Sequence, residues 1–303
     1  MKKYLWKRIL LAVLTVFLIS LITFFAMNAI PGGPFDSEKA SSPEVKAALE
    51  ARYNLDKPLW QQYLLYMKNF FKGDWGVSVK TGRDIRSTIG SSFAVSAKLG
   101  GMALLVSLVF GILFGSLAAL YRNRWPDRVI IFFTTLLTAM PSFVLATLLL
   151  YVFCIQLGWF PVWSATGTNY VLPVISLALY PTAYITRLTK SSMLDVLGQD
   201  YIRTAQAKGV SRTGVLFKHA LKNALIPVVT YIGPQLAYII TGSLVVENIF
   251  TIGGLGQKFV SSINNRDYTM IMATTLFLAI LMVVANLLTD LAYKAIDPRI
   301  ELD

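Results

Sequence analysis

Val129–Thr186 reads VIIFFTTLLTAMPSFVLATLLLYVFCIQLGWFPVWSATGTNYVLPVISLALYPTAYIT, 58 residues without an Asp, Glu, Lys or Arg. A membrane-spanning helix needs about 20 consecutive apolar residues, so one helix cannot use the whole run. The run is interrupted by Gly158-Trp159-Phe160-Pro161 and by the polar stretch Ser164–Asn169. It therefore predicts two spans, Val129–Leu157 and Val171–Arg187. Pro141 is placed to kink the first, and Pro173 and Pro181 fall in the second. The loop Gly158–Tyr170 is uncharged and rich in Trp, Phe and Tyr, which suits the outer membrane interface.

Four more stretches lack charge: Ile9–Phe35, Leu99–Tyr121, Asn223–Val246 and Tyr268–Thr289. They add spans at about Ile9–Ile30, Leu99–Tyr121, Ile226–Val246 and Tyr268–Leu291. The chain is 55% hydrophobic and 15% charged, against about a quarter charged in ordinary soluble domains. An all-α membrane protein with six transmembrane helices is expected. Gly111-x-x-x-Gly115 in the second span has the spacing that lets two helices approach closely.

The net charge of +12 follows the positive-inside rule rather than nucleic-acid binding. With both termini cytoplasmic, cytoplasmic segments carry 16 Lys and Arg, and the short outside segments carry two, Lys258 and Arg266. The loop Pro31–Lys98 is set aside, because long loops cross the membrane regardless of charge. Lys2, Lys3, Lys7 and Arg8 precede an apolar run too long for a signal-peptide core, so a retained first span is expected.

The loop Pro31–Lys98 is an extracytoplasmic insertion with two predicted helices. Ser42-Pro43 opens one that runs to Arg52, and Asp56 is the expected cap of another over Pro58–Lys72. Leu59, Trp60, Tyr63, Leu64, Met67, Phe70 and Phe71 share one face of the latter. That face serves packing on the chain's own core, an interfacial docking surface, or both. Gly73-Asp74-Trp75-Gly76 reads as a tight turn.

Between the fourth and fifth spans lies a basic elbow, DYIRTAQAKGVSRTGVLFKHALKNALIP, from Asp200 to Pro227. A short helix fits Tyr201–Lys208, with Asp200 as N-cap and Gly209 as its left-handed stop. A second helix fits from Ser211 towards Pro227. The short helix is marginal alone in water and needs a surface to lie on. Thr204, Ala205, Ala207 and Gly209 are small enough for close approach, and Arg203 and Lys208 suit acids or phosphates. On the residues alone, a protein partner and anionic lipid headgroups are both open.

Catalysis is not expected. His219 is the single histidine and Cys154 the single cysteine, and with no Gly-Lys pair there is no phosphate-binding loop. The first four spans contain no acid, while Glu247 and Asp290 sit at the ends of the last two. An ion-coupled carrier normally places ionisable groups inside its spans. A carrier or channel of that class is the weaker alternative to a pathway driven from elsewhere.

Arg203-Thr204-Ala205-Gln206-Ala207-Lys208-Gly209, followed by His219-Ala220-Leu221 and Ala224-Leu225-Ile226-Pro227, resembles the cytoplasmic EAA loop of bacterial ABC import permeases in its peptide-permease form. Arg203 stands where the wider family has Glu, and Thr204 where it has Ala. Asn28-Ala29-Ile30-Pro31-Gly32-Gly33-Pro34, Gly73–Ser78, Val246-Glu247-x-Ile249-Phe250 with Gly253-Gly254-Leu255-Gly256, Arg266-Asp267-Tyr268, and Asp290 to Arg299 are similar to that family in order. The chain is identified as a member of the first-permease type of dipeptide/oligopeptide ABC importers of the bacterial cytoplasmic (inner) membrane.

The resemblance implies a peptide substrate delivered by an extracytoplasmic binding protein, a second homologous permease subunit, and two ATP-binding subunits that use ATP and Mg. No cofactor is implied for this chain. Relatives for nickel chelates or glutathione remain an alternative. The elbow, residues 188–225, would hold the cytoplasmic coupling helix between helices four and five, with Tyr201, Arg203, Thr204, Ala205, Ala207, Lys208 and Gly209 meeting an ATPase. Glu247, Gly253, Gly254 and Gly256 would form the loop that meets the binding protein. The chain then divides into 1–30 (tail and first helix), 31–98 (extracytoplasmic helical loop) and 99–303 (core permease domain).

Overall fold

The computed structural model describes residues 2–35, 43–162, 169–240 and 243–296, and these are helical, with one isolated β-bridge between Val77 and Asp84 and no strand. In chain order the helices are α1 (Lys2–Ala29), α2 (Pro43–Arg52), α3 (Leu59–Phe71), α4 (Ile85–Leu120), α5 (Trp125–Ala139) and α6 (Ser142–Leu149), which widens into π-helical turns over Leu150–Gln156. Then follow α7 (Val171–Leu197), α8 (Asp200–Ala207), α9 (Arg212–Gly214) with π-helical turns over Val215–Ala220, and α10 (Leu221–Ala224). The last four are α11 (Ile226–Ile240), α12 (Leu244–Ile249), α13 (Leu255–Asn264) and α14 (Tyr268–Ile296).

Four of these helices are long and apolar enough to cross a membrane: α1, α4, α7 and α14. A fifth crossing exists if α5 and α6 with its π-helical extension, bent by 104° at a break, count as one span. The break falls at Met140-Pro141, both extended (ψ 135 and 138). Proline removes an N–H and disfavours helix in the residue before it, so the expected kink is a full interruption. The expected fifth span, 226–246, is divided as well. α11 is described as far as Ile240, residues 241–242 lie outside the described residues, and Ser243, extended, caps a new helix, α12, that starts at Leu244. The polar interruption 164–169 and the cap expected at Ser42 fall largely or wholly outside them too.

The chain forms two compact units, one from Met1–Ser96 with Gly253–Asp303 and one from Ala97–Ile252.

In the first unit α1 packs along α14. Phe24 and Met27 of α1, Tyr63 of α3, and Ile271 and Met272 of α14 form one core. Tyr63 sets its ring edge-on to Phe24 at 5.4 Å and its hydroxyl 2.7 Å from Ser20 Oγ, so the phenol is buried with a partner. Tyr63 and Phe70 are buried, while Leu59, Trp60, Leu64 and Phe71 on the same helix stay exposed. The apolar stripe of α3 thus packs inward on one edge only. Asp56 does not cap this helix. Pro58 takes the cap position, and the Gln62 amide holds the approach by donating to the Leu55 and Lys57 carbonyls.

A second core joins Ile85 and Ile89 of α4, Leu255 of α13, and Met270 and Ala273 of α14. The turn Gly73–Gly76 reaches it. Gly73 and Gly76 are left-handed (φ 86 and 79), Asp74 accepts from the Gly76 N–H, and Trp75 stacks on Phe70 at 5.2 Å and leans on Phe277.

Asp267 ties these segments together. Its carboxylate caps α14 by accepting from the Met270 N–H, and it also accepts from the Val79 N–H and the Ser78 and Thr269 hydroxyls. Asp267→Ala removes a helix cap and a charged acceptor at once. It should cost about 2 kcal/mol, read as a lower melting temperature of the detergent-purified protein. Asp267→Asn, which keeps one acceptor oxygen, should lose less.

In the second unit α7 is the hub, touching α5, α6, α11 and α12. Gly111 and Gly115 of α4 lie against it. A Cβ on Gly111 would stand 2.6 Å from Ile185 Cγ2, and one on Gly115 would stand 2.5 Å from Thr189 Cβ and 2.6 Å from the Thr186 carbonyl oxygen. The spacing read in the sequence is a true close approach. Asp127, in the first turn of α5, is buried and pairs with Lys190 of α7, and it also accepts from the Asn123 N–H. The ion pair fixes α5 to α7 outside the charge-free stretch.

Candidate functional site

The elbow is built from the inside out. Ile202 is fully buried and Ala205 nearly so, in a core with Ala119, Met193, Val215, Leu216, Ala220 and Ala224. These two residues, three apart, make the inner face of α8. The π-helical turns over Val215–Ala220 carry an extra residue per turn, and Val215, Leu216 and Ala220 all face this core. Tyr201 accepts at its hydroxyl from the Asn223 amide (2.8 Å), which pins the start of α8 to α10.

The ends differ in one respect from the expectation. Gln199, extended at ψ 152, holds the cap position, its carbonyl accepting from the Ile202 and Arg203 N–H groups, and no side chain caps the helix. Asp200 is therefore the first helical residue, where its charge favours the positive end of the helix dipole. The stop is as expected: Gly209 is left-handed (φ 78), with its N–H on Gln206 and the Val210 N–H on Ala205. Ser211 then opens the following turn, its hydroxyl accepting from the Gly214 N–H.

Of the seven elbow residues singled out, Tyr201, Arg203, Thr204, Ala207, Lys208 and Gly209 are exposed. Ala205 is not, because it faces the chain's own core. The helix therefore presents a small and basic outer face on an apolar inner one. Arg203 lies 3.6 Å from Asp200, both widely exposed, and such a pair is screened by water and worth little. Arg203 stays available to an outside acid. Sequence reading missed the inner face. The signal was present in the apolar spacing of Ile202 and Ala205 against Val215 and Leu216.

The second group of predicted residues does not form one exposed loop. Glu247 is fully buried in the first turn of α12, a helix capped by Ser243, whose hydroxyl accepts from the Val246 N–H (3.1 Å). Gly254 caps α13 in an extended conformation, and Gly254 and Gly256 are buried. Gly253 alone of the three glycines is partly open, with nothing within 4 Å of a Cβ built on it. The next amide, Leu255 N–H, donates to Ser96 Oγ at 2.8 Å. The expected loop thus runs directly into a ten-residue helix, Leu255–Asn264. Asp290 pairs with Arg8 at 2.7 Å across α1 and α14.

The described residues are helical, and several of these helices are long and apolar enough to cross a membrane, the make-up of an integral membrane protein. Comparison with known families places it more narrowly. Residues 111–302 match the family described as "Binding-protein-dependent transport system inner membrane component", and residues 1–105 match the N-terminal part of the same membrane components. The chain belongs to this family.

It is 44% identical to the "Oligopeptide transport system permease protein OppB" of Haemophilus influenzae, over 99% of both chains. It is also 44% identical to the "Dipeptide transport system permease protein DppB" of Bacillus subtilis, over 100% of this chain and 99% of that one. The corresponding DppB of Lactococcus lactis is 42% identical over the full length of both. Among solved structures, a crystal structure of an amino acid ABC transporter with histidines overlaps 69% of this chain and 94% of its own. Its TM-score is 0.55 at 16% identity, which speaks to the fold alone.

Proposed function

We propose that this chain is the membrane-spanning permease subunit of an ATP-driven importer in the bacterial inner membrane, moving peptides handed over by an extracytoplasmic binding protein. The observation that carries this reading is full-length similarity to oligopeptide and dipeptide permeases of three bacteria. In this reading the chain spans the membrane six times with both termini in the cytoplasm. The fifth crossing is made by α11 and the segment after it. Residues 31–98 form an extracytoplasmic helical insertion, and 99–303 form the core permease.

The chain pairs with a second homologous permease and two ATPases, which bind and spend the ATP and Mg. It does no chemistry itself. α8 is the coupling helix, seated in an ATPase through Tyr201, Arg203, Thr204, Ala207 and Lys208, with Gly209 ending it. Ala205 holds the helix to the rest of the elbow from behind. A lever must be stiff, and a helix anchored by Ile202, Ala205 and the Tyr201–Asn223 bond transmits displacement to α7 and α10, between which it is strung. On the outside, Gly253 and the start of α13 meet the binding protein.

The test is purification of the chain with co-purifying subunits, reconstitution in vesicles, and assay of peptide uptake with binding protein added. Uptake that requires ATP and binding protein is expected. Uptake driven by a proton gradient without an ATPase partner would overturn the reading.

A further inference from the structure

In the second unit, the break between α5 and α6 opens a cavity of about 480 Å³, within the range of roughly 300–1,000 Å³ typical of small-ligand sites. α7, α11 and the start of α12 close it. None of its lining residues is charged. Its polar groups are of a particular kind. Ser176 of α7 is 4% exposed, and its hydroxyl is buried without a hydrogen-bond partner. One residue on, the Leu177 carbonyl lacks the usual donor four residues later, because that residue is Pro181, which has no N–H; both line the cavity. Across from them, Gln235 of α11 accepts at Oε1 from the Tyr231 hydroxyl (2.9 Å). That bond turns its amide N–H groups to other partners. Tyr231 is itself held by stacking on Tyr184 at 4.4 Å.

A buried hydroxyl left unpaired costs about 1–3 kcal/mol, and an interrupted helix inside a transport protein is a recurrent way of presenting backbone groups to cargo. We propose that this cavity is a cargo subsite that reads the peptide main chain. Ser176 Oγ and the Leu177 carbonyl accept from peptide N–H groups, and the Gln235 amide donates to a peptide carbonyl. The inference rests on the peptide-import reading and deepens it. Uncharged donors and acceptors bind what all peptides share, and the absence of a lining charge leaves side-chain charge unselected.

The experiment uses the assembled transporter in vesicles with its binding protein, di-alanine and tri-alanine as probes, and uptake scaled to the amount of assembled complex. Ser176→Ala removes an unpaired hydroxyl, so it should leave the melting temperature unchanged or higher while lowering uptake by about two- to tenfold, the worth of one hydrogen bond. Gln235→Leu should lower uptake similarly. Ser116→Ala is the control, because Ser116 Oγ is also buried and unpartnered but lies outside this cavity; its uptake should match wild type. Full uptake in both Ser176→Ala and Gln235→Leu overturns the subsite and leaves the import reading standing. A lowered melting temperature in Ser176→Ala, or an equal loss in Ser116→Ala, overturns it too. A wild-type assembly that imports neither peptide overturns the import reading, and the subsite with it.

Discussion

Gly115→Leu will remove most of the folded protein from the membrane. The reason is distance. A Cβ at residue 115 would sit 2.5 Å from Thr189 Cβ and 2.6 Å from the Thr186 carbonyl oxygen, and the second of these is backbone that no rotamer change can move. α4 and α7 would have to separate along the whole contact that Gly111 shares, where Ile185 Cγ2 and Cβ lie 2.6 and 2.7 Å from the corresponding position. Overpacking a close contact costs about 1–3 kcal/mol, and more where backbone must shift. A loss above about 3 kcal/mol is a large part of a typical folding free energy. Gly115→Ala tests the same point at smaller amplitude and should lower the melting temperature measurably. Gly101→Ala, on the same helix with nothing within 4 Å of its Cβ position, should not. Equal melting temperatures for the two alanine variants would overturn the close-packing account.

The helices were legible where a single strong signal governed them. Charge-free runs located α1, α4, α7 and α14, because the cost of burying charge in lipid leaves little choice. Gly209 and the turn Gly73–Gly76 were legible because only glycine enters the left-handed region cheaply. What was not legible came from contacts distant in the chain. Pro141 announced a kink, but its size depends on how α6 packs on α7. Asp56 and Asp200 looked like caps, yet a residue within two positions, Pro58 or Gln199, took the place. Neither replacement gives the helix a side-chain cap, so the local preference for Asp at this position could not have chosen either.

The dispersed family motifs show the same limit from the other side. As sequence they are five separated phrases. In the first unit three of them meet. Tyr268 donates its hydroxyl to the Gly32 carbonyl, Lys80 reaches the Pro34 carbonyl, and Ser78 and Val79 bind Asp267. Gly32 is left-handed (φ 93), where a side chain is strained, and a Cβ there would also displace the Arg266 guanidinium. These phrases describe one knot of hydrogen bonds around the start of α14, which no single phrase reveals.

Ala207→Glu and Ala205→Glu are expected to fail in different ways, and the contrast locates the working face of α8. By sequence the two alanines are equivalent small residues. In the fold Ala207 is exposed and Ala205 is enclosed by Ile202, Val215 and Leu216. Glu at 207 adds a charged chain to an outer surface. It should leave the protein's amount and melting temperature unchanged while abolishing ATP-dependent peptide uptake, because under the proposed coupling role a close-fitting partner cleft cannot take a carboxylate in place of a methyl group. Glu at 205 must instead bury a charge in an apolar core or push the helix off it, at a cost of several kcal/mol. Its first effect should be structural: faster proteolysis between Leu197 and Leu225, with uptake lost as a consequence. Charge reversal at Arg203 adds a third arm. If an ATPase acid faces this position, Arg203→Glu should lose uptake and a Lys or Arg substitution of that acid should restore part of it. Normal uptake by Ala207→Glu in an intact assembly would take α8 out of the coupling path, whatever the other two variants do.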